Sequence, residues 1–540
     1  MKGKTLLVGV LLVMAVVATI NFGEAKEKEW MPFKNAERIS PNIVPLGTSM
    51  ATANLGNVLI SVDSPEDDIL PAITVDGNGN IGAVWTHTIS AIESDFGIAY
   101  STDNGNTWTS SIIEMEGYQY YADMAYVTGS KYEGGGDFNG FWGICLDTSI
   151  ESGEFWRIPD ITNPDTYEFY TFTEGSLPGA SYASIEDDVW YPMTYYEGVV
   201  GPIHFYIDDD QNMNQGIMLF WMPGNLEGSI VNNWDAESVL DTAPAQDPDM
   251  ACIHDNDPAW TENDFFYIVV QHNNENTGKA EIVYKKCVPV EEADIEYVAE
   301  QYYLVSGDFD AAHPEIDASG SNVVVVYMSN DNVYGDWDIM CKYSNNYGET
   351  WETSVVAGEH PVDETYPAVY MMGNTVYVAY IKEGNLYLVK SEDGGATWSE
   401  PEQINDVDGS VVAGENYVDI CSKGIVWVDN RNGNNDIYFA TLPAPIIKVS
   451  ISGGFGVKAN VCNEGTEAAQ NVPWSVDLTG LVFLGKHAEG TIDTLNPGDC
   501  TTVGPGLVFG FGPTTITATV GGKTATASGF VLGPLVLGVS

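Results

Sequence analysis

The sequence predicts an all-β protein: a seven-bladed β-propeller, with six blades as the alternative count, followed by a β-sandwich. Three observations carry this reading. A hairpin motif recurs three times, a longer unit recurs along most of the chain, and helical periodicity is absent while Val-, Ile- and Tyr-rich strands alternate with Gly/Asn/Asp turns.

The hairpin motif reads Ser-x-Asp/Asn-x-Gly-x-Thr-Trp. Its copies are built on Ser101, Asp103, Gly105 and Trp108; on Ser344, Asn346, Gly348 and Trp351; and on Ser391, Asp393, Gly395 and Trp398. Ser and Asp/Asn side chains bond turn amides, Gly tolerates a positive φ, and Trp anchors the turn. These are structural residues on this reading.

The longer unit begins with a short segment such as LPAI, HPEI or YPAV, followed by a turn and an apolar strand. Aligning Pro71, Ala122, Ala183, Pro248, Pro314, Pro367 and Val418 gives spacings of 51, 61, 65, 66, 53 and 51 residues. That length suits one four-stranded blade with its loops. The last unit shows three strands before Pro443, while a spare strand, Asn57 to Asp63, precedes the first. Pairing that strand beside Asp436 to Leu442 would close the ring and hide its edges. The domains expected are a signal peptide (1–25), an N-terminal extension (26–56), a propeller (57–443) and a sandwich (446–540).

The hairpins resemble the Asp boxes of the BNR-repeat, sialidase-like propeller superfamily, over roughly Asn57 to Leu442. The resemblance implies fold rather than activity, since that superfamily includes sialidases, other glycosidases, lectins and non-enzymatic proteins. A sialidase also requires three arginines to clamp the substrate carboxylate. This chain contains only Arg38, Arg157 and Arg431, and the strand that carries the first clamp arginine in the family reads Asp68-Ile69-Leu70-Pro71 here. The Arg-Ile-Pro at Arg157 to Pro159 falls in a third-strand position, outside the family's register. Sialidase activity is therefore rejected. The Gly-, Thr- and Val-rich tail resembles CARDB-type immunoglobulin-like adhesion domains of prokaryotic surface proteins, again only as a loose pattern.

Composition narrows the partners. With 77 Asp+Glu against 20 Lys+Arg, the formal net charge is -57. Such a chain repels phosphate, so neither nucleic acid nor anionic lipid is an expected partner. Lys2 and Lys4 precede an apolar run from Leu6 to Ile20, and small residues follow at Gly23 and Ala25. This is the pattern of a secretory leader, which predicts a secreted or cell-surface protein with no membrane span after cleavage. Export permits disulfides. Of seven cysteines only Cys462 and Cys500 fall in the tail, and they are expected to pair. No CxxC pair supports a zinc or redox site, so no metal ligand is assigned. Calcium is the one cofactor with any compositional support, through the acidic stretches Asp63 to Asp68, Asp208 to Asp210 and Asp255 to Asp264; solvated loops account for them more simply.

A ligand face is sought where second strands end. Aligning these ends places His87, His272, Ser329, Lys382 and Asp429 in one column, to which looser alignment adds Asp147 and Tyr195. Arg431 lies two residues beyond Asp429. The column predicts a polar ring around one channel mouth; polar strand ends meeting water are the plainer account. The expected function is non-enzymatic binding of an extracellular glycan or protein. The alternative is a glycoside hydrolase or lyase acting on a neutral polysaccharide, for which no catalytic carboxylate pair can be assigned among so many acids.

Overall fold

The computed structural model describes residues 34–539 except 51–55, 62–64, 92, 116, 128–139, 148–151, 175–181, 184–197, 209–212, 224–234, 241–244, 254–264, 291–293, 298–301, 444–446, 464, 466–467 and 497. The leader segment, Tyr195 and most of the three acidic stretches lie outside the described residues. The chain divides into two compact units, Met1–Ala440 and Thr441–Ser540.

The named strands of the first unit pair antiparallel throughout. Sheet 1 runs Asp67–Val75, Ile81–Ser90, Glu93–Ser101 and Thr107–Glu114; sheet 2 runs Gln119–Val127, Gly140–Asp147, Ser152–Ile158 and Glu168–Glu174. Sheet 3 is Tyr182–Ala183, Gly198–Asp208, Met213–Pro223 and Asp235–Leu240. Sheet 4 is Ala245–Ile253, Phe265–Asn274 and Lys279–Val290, flanked by Asp294–Tyr297 and Tyr302–Val305. Sheet 5 is Ala311–Ser319, Asn322–Ser329, Asp338–Ser344 and Glu352–Ala357, and sheet 6 is Glu364–Met372, Thr375–Lys382, Asn385–Ser391 and Glu402–Gln403. Sheet 7 is Val418–Cys421, Gly424–Asp429 and Asp436–Thr441, completed by Val58–Leu59 from the other end of the unit. Val58 pairs with Phe439 and Leu59 with Tyr438.

The first strands of successive sheets are neighbours around a closed circuit, from Asp67–Val75 through to Val418–Cys421 and back. The first strands of sheets 1, 2, 4, 5, 6 and 7 line one cavity. This is a β-propeller, with cores formed between adjacent sheets. Between sheets 7 and 1, for example, Trp85, Trp108, Val426 and Phe439 are fully buried together.

The Asp-box turns are built as their chemistry requires. Asp103 accepts from the Thr107 amide at 2.8 Å and from its hydroxyl at 2.8 Å, while the Gly105 amide donates to Ser101 Oγ at 2.8 Å. The same bonds recur at Asn346 with Thr350 and at Asp393 with Thr397. Gly105, at φ +81°, lies against the Phe439 ring, where a Cβ would meet a ring carbon at 2.2 Å. The first of these turns thereby packs on the strand Asp436–Thr441, along which Val58–Leu59 pairs.

The segment before Asn57 is more than an extension. Lys34–Ile39 pairs along Glu168–Glu174 and Asn42–Met50 along Thr107–Glu114, adding a fifth strand to sheets 2 and 1. It covers two outer edges that would otherwise expose unpaired backbone groups.

The second unit contains a three-stranded sheet (Ile447–Ser452, Lys458–Asn463, Cys500–Val503) and a larger one. The larger sheet takes Gly454–Phe455, Leu535–Leu537, Lys523–Gly533, Phe509–Val520, Ala469–Leu478 and His487–Leu495 in that order, with Val482–Leu484 beside Phe509–Val520. Val457, Ala459, Val476, Ile516 and Val531 form a core shared by the two sheets. A disulfide joins Cys462 to Cys500, which face each other across adjacent strands. The outer face of the larger sheet is zoned. Thr519, Thr517 and Thr515 give way along the strand to Phe511 and Phe509, and cross-strand pairing sets Phe455, Leu535, Leu532 and Phe511 in one apolar row.

Candidate functional site

Each first strand of sheets 1, 2, 4, 5 and 6 carries a register shift at the same place: Ile69/Ala72, Tyr120/Asp123, Gln246/Asp249, Ala312/Glu315 and Thr365/Ala368. Four of these bulges put a residue of positive φ directly before a proline: Leu70 (55°), Asp247 (51°), His313 (49°) and Tyr366 (50°). Such a conformation costs a non-glycine residue about 1–3 kcal/mol and persists only where the surroundings over-determine it.

What the bulges bring together is the candidate site. His313 Nδ1 lies 3.2 Å from Asp247 Oδ2, and the His313 ring packs 4.9 Å from that of Tyr366. Glu415, on the segment leading into sheet 7, completes the group: ligand atoms of Asp247, His313 and Glu415 all fall within 4.8 Å of one another. Three consecutive sheets and the segment leading into the next thus contribute one side chain each. Burial disfavours charge at Asp247, but His313 and Glu415 outweigh it and hold its carboxyl below the usual range. Glu415 moves the opposite way, pushed well up by burial and by the Asp247 carboxylate. Burial and mutual repulsion thus favour one shared proton over two negative charges on this pair of acids. The cluster therefore offers an ionised acceptor, a protonated carboxyl, an imidazole and an aromatic face.

The first strands also line a cavity of about 250 Å³ whose walls include Asp123, Asp249, Glu315, Asp317 and Asp419. Three of these carboxyls are structural staples. Asp249 accepts from the Ile316 amide of the next sheet at 2.7 Å, Asp317 from Met371 at 2.5 Å, and Asp419 from Ile73 at 2.6 Å. Burial pushes Asp317 up to about 7 and Asp419 up to about 8; Glu315 is raised well above its ordinary value by burial and by Asp249.

The described side chains of the second-strand column are engaged locally, Ser329 Oγ accepting from the Asp331 amide at 3.2 Å. His87 Nδ1 sits 2.7 Å from Asp68 Oδ1, and His272 Nδ1 sits 3.3 Å from Glu281 Oε2. Lys382 pairs with Glu359 and, at 3.5 Å, with Glu364. Arg431 grips Asp429 through Nε (2.8 Å) and Nη2 (2.7 Å), pairs with Asp406, and stacks on Tyr438 at 4.0 Å. Its Nη2 also donates to Asn57 Oδ1 at 3.3 Å, while Asp436 accepts from Asn432 and Asn434. Among the described residues no bond joins two members of the column from different sheets. Asp147 closes the second strand of sheet 2, with its side chain outside the described residues.

The sequence column missed Asp247, His313, Tyr366 and Glu415. A signal was available: three of them immediately precede the anchor prolines 248, 314 and 367.

No family model and no curated protein matches the chain. Among solved structures it is similar to a Trypanosoma rangeli sialidase (9% identity, 91% of this chain and 88% of that one, TM-score 0.34). It is also similar to a Fusarium graminearum α-L-arabinofuranosidase (10%, 74% and 97%, TM-score 0.38) and to the β-propeller domain of a Pyrococcus furiosus protease (11%, 69% and 93%, TM-score 0.38). At these scores the likenesses carry no argument about activity.

Proposed function

We propose that the chain is an exported, surface-displayed binding protein: a seven-bladed propeller that takes a neutral glycan at the channel mouth. The observation that carries this is the convergence of Asp247, His313 and Tyr366 from three consecutive sheets with Glu415 from the segment leading into the next. An aromatic face beside an ionised acceptor and a protonated donor suits sugar rings and hydroxyls. An anionic sugar is disfavoured because each arginine is already paired: Arg38 and Arg157 with Glu168, Arg431 with Asp429 and Asp406. The second-strand residues His87, His272, Lys382 and Asp429, bonded to neighbouring carboxylates or to Arg431, then shape the rim around the ligand. The second unit, read as an immunoglobulin-like attachment module, offers its apolar row for surface association.

Retention of the protein on a panel of immobilised neutral polysaccharides tests this. Tyr366→Ala should abolish retention that the wild-type protein shows; wild-type retention unchanged by that substitution would overturn the mouth assignment.

One observation favours a second reading, hydrolysis or lyase cleavage of the same class of polysaccharide: a protonated Glu415 beside an ionised Asp247 has the protonation states of a general acid and its partner. Against it, carboxyls close enough to share a proton leave no room for a glycosidic bond between them, which needs about 5–9.5 Å. Release of reducing ends during the retention assay separates the two readings.

A further inference from the structure

Away from the mouth cluster, two loops meet beside sheets 5 and 6. The loop 330–337 leaves the strand Asn322–Ser329, and the segment 358–363 enters the strand Glu364–Met372. They bring Asp336, Asp338 and His360 together, with ligand atoms all within 4.8 Å of one another. His360 Nδ1 is 3.1 Å from Asp336 Oδ2 and 3.6 Å from Asp338 Oδ1.

Asp338 supplies the second, independent observation. The residue is only 8% exposed, and its buried Oδ1 receives no hydrogen bond. His360 Nδ1 faces that oxygen at 3.6 Å, beyond hydrogen-bond distance, and is turned to Asp336 at 3.1 Å, so the oxygen lacks a donor, which is costly unless a further cation meets it. One imidazole cannot neutralise two carboxylates, and the surrounding segment adds Glu359, Asp363 and Glu364 against Lys382 alone.

The supporting groups are those a metal site requires. Asn332 donates to Asp338 Oδ2 at 3.1 Å, so Oδ1 is the oxygen left to coordinate. The same Asn332 accepts from the Tyr334 and Gly335 amides at 2.9 and 2.7 Å, and Asp363 accepts from the Trp337 amide at 2.9 Å, tying the loops together. Tyr334 stacks on the His360 ring at 4.5 Å and fixes its plane. Outer partners of this kind orient ligands and are themselves worth affinity.

We propose that Asp336, Asp338 and His360 bind a divalent transition-metal ion of the Zn2+ class. An imidazole with two carboxylates suits such an ion, whereas Ca2+ seeks six to eight oxygens. The His360 side chain is 29% exposed, which leaves an open side for entry and for water ligands. The site is independent of the glycan reading, since none of its residues belongs to the mouth cluster.

The untagged full-length protein, stripped with chelator, would be titrated with Zn2+ by calorimetry, and its thermal midpoint followed with and without the ion. Saturable uptake at this site with a raised midpoint is expected. His360→Ala and the isosteric Asp338→Asn should each weaken that uptake at least about tenfold. His487→Ala, in the exposed group with Asp477 and Glu489, should leave it unchanged. The apo midpoints of the variants report whether each still folds, and Asp338→Asn preserves shape if His360→Ala does not. No saturable uptake, uptake indifferent to both substitutions, or uptake lost instead with His313→Ala would each overturn the assignment.

Discussion

The Asp419 carboxylate accepts a hydrogen bond from the Ile73 amide at 2.6 Å, joining positions 346 residues apart. Its other oxygen takes the neighbouring Ile420 amide at 2.7 Å. One side chain therefore bonds the first strand of the last sheet to the first strand of the first. Asp249 and Asp317 make the corresponding bonds between sheets 4 and 5 and between sheets 5 and 6. Asp419→Ala strands two amides beside the channel and should cost about 2–3 kcal/mol in urea denaturation. Asp419→Asn keeps one acceptor and should cost less.

The same carboxyls set a pH dependence. Burial raises Asp317 to about 7 and Asp419 to about 8, above their unfolded values near 4. Protonation is thus more favourable in the folded chain. The stabilisation is fully present below pH ~4 and is lost as pH rises through ~7–8. Asp103 runs the other way: burial opposes its charge, but bonds from Thr107 and Ser101 lower its pKa, so its contribution is lost in acid. The urea midpoint should fall between about pH 5 and pH 8 and level off above that, and Asp419→Asn should flatten that fall. An unchanged slope in the variant would mean that the alkaline loss comes from elsewhere.

The Asp box of sheet 1 should govern stability rather than ligand capture. Trp108 is fully buried and donates to the Gly105 carbonyl at 3.1 Å. Trp108→Ala should cost about 3–5 kcal/mol, and Asp103→Ala, which releases the bonds from Thr107, about 1–2. Polysaccharide retention by the folded fraction should match the wild type in both.

No sialic acid should be released from sialosides at any pH. Arg157 lies on the third strand of sheet 2 and faces Glu168 at 3.4 Å, and Arg38 reaches the same carboxylate at 3.9 Å. Neither stands on a first strand, where a carboxylate clamp would have to converge. Turnover that survives repurification and disappears on Arg157→Ala would contradict this.

Much of the propeller was legible because its signals are local. The Asp-box turns, the anchor column from Pro71 to Val418 and the spare strand at Asn57 are all visible as residue types at fixed offsets. The edge strands Lys34–Ile39 and Asn42–Met50 carry no such signature, since they only cover sheets whose repeats are already complete. The site was harder for a different reason. An Xaa-Pro pair reads as extended chain, and alternation then assigns faces by counting in twos. The bulges at Asp247, His313 and Tyr366 break that count, so the residues they turn toward one another look like ordinary strand starts. The polar second-strand column was visible, but a sequence gives residue types without partners. The Asp68 beside His87 and the Glu281 beside His272 appear only once the strands are paired.

Glu415 distinguishes binding from catalysis. Burial and the Asp247 carboxylate push Glu415 well up, while His313 and Glu415 hold Asp247 down, which favours a neutral hydrogen-bond donor at Glu415. Glutamine is also neutral and keeps a donor of similar reach, but it cannot transfer a proton. If the mouth only binds, Glu415→Gln should retain polysaccharide within about threefold of wild type, because one neutral donor replaces another. Glu415→Ala should lose about tenfold or more, since it removes the donor and leaves the buried Asp247 carboxylate without that partner. If the mouth cleaves, Glu415→Gln should instead bind normally and release no product, having lost its general acid. Asp247→Asn removes the ionised acceptor and should weaken retention on either reading. Retention and reducing-end release, measured together for these three variants, therefore assign the chemistry of the site. Equal retention by wild type, Glu415→Ala and Asp247→Asn would show that the ligand docks away from the mouth.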